Sequence, residues 1–257
     1  GAGGIGKSTF TNYAMHLWAK GELWQEFEAV LCIRLRNLSS DFYPIVPRTT
    51  AADILQTECS HLDVSFETLL KNPQLLQKTL LILDGYDELP QEAKTKHLKK
   101  AFTELKALFP HILMTSRPGR VDFDGKAEFE ILGFNDSQIT SYIQRFFEQA
   151  KEENLLDGSD AEQKCKELTS YIKKEPQVKT LAHIPINLSM LCALQIDENF
   201  LHTEASMTKL YSRMVERFLQ VFLIRNGQDL DEVYETSTIM LDPLIQPIAN
   251  SLKKLAF

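Results

Sequence analysis

Apolar residues follow two rhythms along this chain, and the change between them falls near Gly133. Before it, short apolar runs alternate with segments of helical spacing. After it, only helical spacing recurs. Ala29 to Leu35 and Thr79 to Leu83 predict buried strands, and His111 to Thr115 and Phe129 to Leu132 predict two more. Phe10, Tyr13, Ala14, Leu17 and Trp18 predict a helix stopped by Gly21. Further helices are expected over Ala51 to Leu62, Phe66 to Leu70 and Ala93 to Leu108, with a loop from Asn37 to Thr50. Strands that alternate with helices imply a parallel α/β sheet.

In the second half Asn135 or Asp136 can cap a helix that sets Ile139, Tyr142, Ile143, Phe146 and Phe147 on one face. Helices follow over Ala161 to Ile172, Ile186 to Leu194 and Ser206 to Ile224. The last carries Leu210, Met214, Phe218 and Phe222 as a stripe and Gly227 as its C-cap. Ile248 to Phe257 keeps a helical pattern without a closing cap, so the sequence is expected to end inside an element.

The chemistry gathers at the beginning. Gly1-Ala2-Gly3-Gly4-Ile5-Gly6-Lys7-Ser8-Thr9 fits G-x-x-x-x-G-K-[ST], the phosphate-binding P-loop. Its glycines let the backbone curl and aim N–H groups at phosphate oxygens. Lys7 adds a mobile positive charge, Ser8 offers a hydroxyl to Mg²⁺, and a helix is expected to open from Thr9. A P-loop follows a strand, and none precedes it here, so the sequence is expected to start inside a domain.

A second element supports the first. In Leu80-Leu81-Ile82-Leu83-Asp84-Gly85-Tyr86-Asp87-Glu88 the strand carries Asp84 to the carboxyl edge of the sheet, where ligands bind in open α/β folds. Asp84 can complete a Mg²⁺ shell. Asp87 and Glu88 lie close enough to orient or deprotonate an attacking water. Arg117, in Met114-Thr115-Ser116-Arg117, ends the next strand and can reach a γ-phosphate. The structural alternatives are a polar loop at Asp87 and Glu88 and a surface arginine beside a Pro-Gly turn. His183-Ile184-Pro185, read alone, is an ordinary start of a helix.

Composition narrows the classes. The chain has 257 residues and a net charge of −7, so no general basic surface points to nucleic acid. The richest apolar stretch, Leu181 to Ile196, holds His183, Pro185, Asn187 and Ser189, so no membrane span is expected. Cys32, Cys59, Cys165 and Cys192 lack C-x-x-C spacing and sit in apolar segments, which favours buried free thiols over a zinc site. No N-K-x-D, the mark of a GTP site, and no L-S-G-G-Q of transporter ATPases occurs. Gly85-Tyr86 also separates Asp84 from the acidic pair, unlike the direct D-E of AAA+ proteins.

Together these residues resemble the NACHT family of STAND ATPases, which includes the NOD-like receptors. The likeness rests on Gly1 to Thr9, on Leu80 to Leu89 with its D-G-x-D-E form, on Thr115 to Pro118, on Leu132-Gly133-Phe134 and on Ile184-Pro185. The resemblance implies a P-loop domain over 1–133, a first helical domain over 134–215 and the opening of a winged-helix domain over 216–257. It implies that Pro185 contacts adenine, that Arg117 is a sensor arginine, and that ATP or ADP binds with Mg²⁺. It further implies a cytoplasmic switch with slow ATP hydrolysis. Such a switch would self-assemble in innate immune or cell-death signalling, between an upstream ligand and a downstream effector that the residues leave unnamed. Two alternatives stand beside it: a nucleotide-binding scaffold without turnover, and a continuously cycling AAA+-like ATPase.

Overall fold

A computed structural model describes residues 3–43, 49–62, 64–95, 97–119, 127–197 and 207–225. It divides into two compact units, Gly1–Leu132 and Gly133–Phe257.

The first unit is built on three parallel strands: β1 (Ala29–Arg34), β2 (Thr79–Asp84) and β3 (His111–Met114), in the order β1-β2-β3. The register sets Arg34 opposite Asp84 and Leu83 opposite Met114, so the strand ends align along one carboxyl edge. Side chains alternate between two faces, as period two requires. Leu31, Ile33, Leu81 and Leu83 face a core with α2 (Ala51–Glu58), α3 (Phe66–Leu70) and α6 (Lys99–Leu108). Val30, Leu80 and Ile82 face the other way, with Met15 and Trp18 of α1 (Lys7–Ala19) and with Trp24 and Phe27. β2 is therefore buried on both faces, as a central parallel strand should be.

Local signals account for the helix ends. Thr50 and Asp53 form a capping box at the start of α2. Asn72 accepts from the Gln74 and Leu75 amides at α4 (Pro73–Gln77), whose first residue is a proline. At the far end of α2, Glu58 accepts hydrogen bonds from the Arg34 amide, the Asn37 side chain and the Tyr43 hydroxyl, which ties the loop after β1 to the helix. Burial and this carboxylate both push the Tyr43 phenol upward.

Three sequence expectations need correction. Phe129 to Leu132 is not a strand: Phe129 and Leu132 are 87% and 75% exposed, and no described strand pairs with them. The helix expected over Ala93 to Leu108 is two, α5 (Gln91–Thr95) and α6. Between them Leu98 is fully buried and the His97 ring nitrogen lies 3.2 Å from the Tyr43 carbonyl oxygen, which interrupts the amphipathic stripe. Two of the four free thiols, Cys32 and Cys165, are half-buried rather than buried. Burial, reinforced by Asp84, still pushes the Cys32 thiol up to about 12, and burial pushes Cys59 up to about 11. Neither thiol ionises near neutral pH.

The second unit is helical throughout its described residues: α7 (Asp136–Glu152), α8 (Gly158–Lys174), α9 (Pro176–Ala182), α10 (Pro185–Asp197) and α11 (Met207–Arg225). Asn135 caps α7 in a box with Gln138, and Asp157 caps α8 by accepting from the Ser159 and Asp160 amides. Ile139, Ile143, Phe147, Leu168, Ile172, Leu188, Leu191 and Met214 form its core, the α7 face read from the sequence among them. Gly227 and Ile248 to Phe257 lie outside the described residues, as does 226–257 of the expected third domain. α11 runs unbroken through 215 and 216.

Candidate functional site

The site sits at the carboxyl edge of the sheet, and a tight loop makes its floor. Gly4 and Gly6 hold φ of 73° and 102°, a left-handed backbone that favours glycine, and Gly6 is the N-cap of α1. The helix opens at Lys7, two residues earlier than Thr9, and the Gly6 carbonyl accepts from the Phe10 amide. The loop thus delivers Lys7, Ser8 and Thr9 on the first turn of a helix, whose exposed amides and dipole favour an anion. Ile5 is buried and anchors the loop. Gly1 and Ala2, expected in the phosphate cradle, lie outside the described residues.

Asp84 ends β2 beneath this turn. The Ser8 hydroxyl donates to Asp84 Oδ2 at 2.7 Å. The Thr115 hydroxyl donates to Asp84 Oδ1 at 2.6 Å and accepts from the Gly85 amide at 2.9 Å. Thr115 also receives the Tyr86 amide on its carbonyl, and its own amide donates to the Leu83 carbonyl. One residue at the end of β3 therefore holds the whole turn after β2. Sequence reasoning gave Thr115 no role; the only available signal was a hydroxyl residue at a strand end beside a carboxylate strand end.

Gly85, at φ 81°, turns the chain into a 3-10 turn over Tyr86–Glu88. The two carboxylates there differ. Asp87 accepts the Arg117 amide on Oδ1 at 3.0 Å and the Arg117 Nε on Oδ2 at 2.9 Å. Its side chain is only 7% exposed, against 55% for Arg117. Glu88 is exposed, folds back over Gly85, and receives no hydrogen bond on its carboxylate from the described residues. The Arg117 guanidinium lies against Gly3: a Cβ there would stand 3.6 Å from Nη2.

The fold thus brings together Gly3 to Ser8, Asp84, Asp87 and Arg117, with Glu88 at the rim. Pro185 is the first residue of α10 in the second unit. The donor set suits a hard cation that keeps some of its ligands from water and phosphate: one hydroxyl and one carboxylate, already in contact. No cluster of three or more His, Cys, Asp or Glu side chains suited to a metal occurs among the described residues. No described helix is long and apolar enough to cross a membrane.

A glycine-rich turn into a helix, a strand-end aspartate under its serine, and parallel strands define a P-loop nucleotide-binding fold. The model of the NACHT domain matches residues 1–150, and the chain belongs to that family. The chain is 26% identical over 246 residues to human nucleotide-binding oligomerization domain-containing protein 2, covering 87% of this chain and 22% of that protein. The bovine protein of the same name is 28% identical over 167 residues, covering 56% of this chain and 16% of that protein. Mouse NACHT, LRR and PYD domains-containing protein 10 is 23% identical over 153 residues, covering 57% and 22%. The chain therefore spans about a fifth of the length of these curated relatives.

Proposed function

We propose that this chain is the nucleotide-dependent switch of a NOD-like receptor-type signalling protein, binding ATP or ADP with Mg²⁺ and hydrolysing ATP slowly. The observation that carries the reading is the direct hydrogen bond between Ser8 and Asp84 beneath a left-handed glycine turn, in a chain of the NACHT family. The Gly3 to Gly6 amides and Lys7 hold the phosphates. Ser8 and Asp84 hold the Mg²⁺, which when bound neutralises charge on the phosphate oxygens. The acidic pair after Gly85 supplies the group that orients or deprotonates water, and Arg117 answers to the γ-phosphate. Pro185 is assigned to the adenine base.

A phosphate-dependent contact of this kind couples to assembly only through differential binding: ATP must favour the assembling state over the resting one. Self-assembly, an innate immune or cell-death output and a cytoplasmic setting belong to the same reading, supported by the family. Tight binding with slow turnover separates it from a continuously cycling ATPase, and Glu88→Gln separates it from a scaffold. If Glu88→Gln leaves turnover unchanged, Glu88 is not the catalytic carboxylate.

The test begins with Lys7→Ala. Denaturing the purified wild-type protein and identifying the released nucleotide by chromatography should yield ADP at close to one per chain, and the Lys7→Ala variant should yield none. Equal nucleotide content in the variant overturns the assignment of the loop.

A further inference from the structure

We infer that Asp87 is not the water-activating carboxylate but a positioning residue that aims Arg117 at the terminal phosphate; the assignment rests on the nucleotide-site reading above. Both oxygens of its carboxylate are occupied by one partner, the backbone amide and Nε of Arg117. A carboxylate that is almost wholly buried and paired through both oxygens with an arginine is held in its ionised form by that partner and shielded from water, which makes it a poor acceptor of a proton from water. Its neighbour Glu88 is exposed, and no described residue donates to its carboxylate.

The choice of Nε matters. Arginine presents five N–H donors in a rigid fork. Holding the guanidinium by Nε, with the backbone amide as a second anchor, fixes the plane of the group, uses one of its five side-chain donors and leaves Nη donors for another acceptor. Gly3 lies beside the Nη end of the fork, with Nη2 3.6 Å from the position a Cβ would take there. The phosphate loop and the arginine fork therefore face the same space. A Cβ at position 3 would stand in ordinary van der Waals contact with the guanidinium.

The acid-arginine pair also spans two strand ends. Asp87 belongs to the turn after β2, and Arg117 to the segment after β3. Thr115 locks the same two segments together from below. Arg117 is held by Asp87 at its backbone amide and at Nε, which leaves the end of the side chain to meet a ligand, an arrangement suited to discriminating a third phosphate from its absence.

The proposal separates Asp87 from Glu88 by measurement. Titrating fluorescent ATP and ADP analogues with Mg²⁺, alongside steady-state phosphate release, is carried out on Asp87→Asn, Arg117→Ala, Arg117→Lys and the Asp87→Asn/Arg117→Ala double variant. Asp87→Asn should keep its ADP affinity and lose about tenfold in preference for ATP over ADP, the size expected for one charged hydrogen bond. Arg117→Ala should lose the same preference, and the double variant should be no worse than Arg117→Ala alone, since both changes remove one device. Arg117→Lys keeps the charge but lacks the Nε donor, so it should behave as Asp87→Asn does. If Asp87→Asn loses turnover with its ATP preference intact, or if the two losses add, the assignment is overturned. Should Asp87→Asn fail to fold by circular dichroism, Arg117→Lys carries the test, and an unchanged ATP preference in it overturns the proposal. Lys7→Ala guards the underlying reading: nucleotide affinity unaffected in that variant sinks the site itself, whatever Asp87 does.

Discussion

Thr115 illustrates how much rests on single hydroxyls at this site. It is buried, it donates to Asp84 and it accepts from Gly85, so Thr115→Val leaves an acceptor and a donor without their partner while preserving shape. The expected cost is about 1–3 kcal/mol of stability, the penalty for a buried polar group left unpaired. Chemical denaturation measures it. Mg²⁺-dependent nucleotide affinity should fall further than Mg²⁺-free affinity, because Asp84 loses the group that orients it. Equal effects with and without Mg²⁺ would show that Thr115 serves the fold alone. The residues named by the P-loop pattern were legible in the sequence because spacing encodes backbone geometry. The role of Thr115 was not, because it depends on the register between β2 and β3, which no local pattern contains. The pairing of Asp87 with Arg117 was hidden for the same reason: thirty positions separate them.

At the scale of elements, the central strands and the main helices followed their periodicity closely. β2 could be read directly because a strand buried on both faces shows as an unbroken apolar run. Phe129 to Leu132 carries a similar signal yet forms no ladder in the described structure. Apolar content cannot tell a strand from an extended segment, since pairing is a property of the neighbour. The start of α7 gives a prediction. Asp136 lies in its first turn and receives a hydrogen bond from Lys179 of α9 at 2.7 Å, with His183 near its other oxygen. That hydrogen bond, with the charges of Lys179 and His183, holds the Asp136 carboxyl below its usual value. A lowered value means stability present above the ordinary carboxylate range and lost as pH falls through it. The melting temperature of wild type should therefore exceed that of Asp136→Asn at neutral pH, and the gap should shrink toward about pH 3. A gap that stays constant with pH would assign the effect to something other than charge. The same corner is closed by paired hydrogen bonds between Phe134 and His183, so the segment leading into α7 is fastened to the turn before α10.

For the molecule as a whole, the two units each bury a core of their own. The helical core draws only on residues after Gly133, with Ile143, Leu168, Leu188 and Leu191 fully buried. A unit with an independent core can fold alone. Residues 133–257 expressed separately should give a helical far-ultraviolet spectrum and a cooperative melting transition; a non-cooperative trace would show that the first unit is needed to organise it. The division into an α/β half and a helical half was visible in the sequence as a change of period. Only the motif-bearing half carries residues from which a use can be proposed, because phosphate chemistry demands particular residues whereas helix packing accepts many.

The stitch made by Thr115 has one more consequence. Parallel strands can in principle pair in shifted alignments, and a slip of a single residue would turn Asp84 to the opposite face of the sheet. Only one alignment lets a side chain at the end of β3 bridge the carboxylate and the amide that follow each other at the end of β2. The hydroxyl is thus an alignment pin. A chain that closes this bridge has, in the same act, set the Asp84 carboxylate at the carboxyl edge, so alignment of the two strands and placement of that side chain go together.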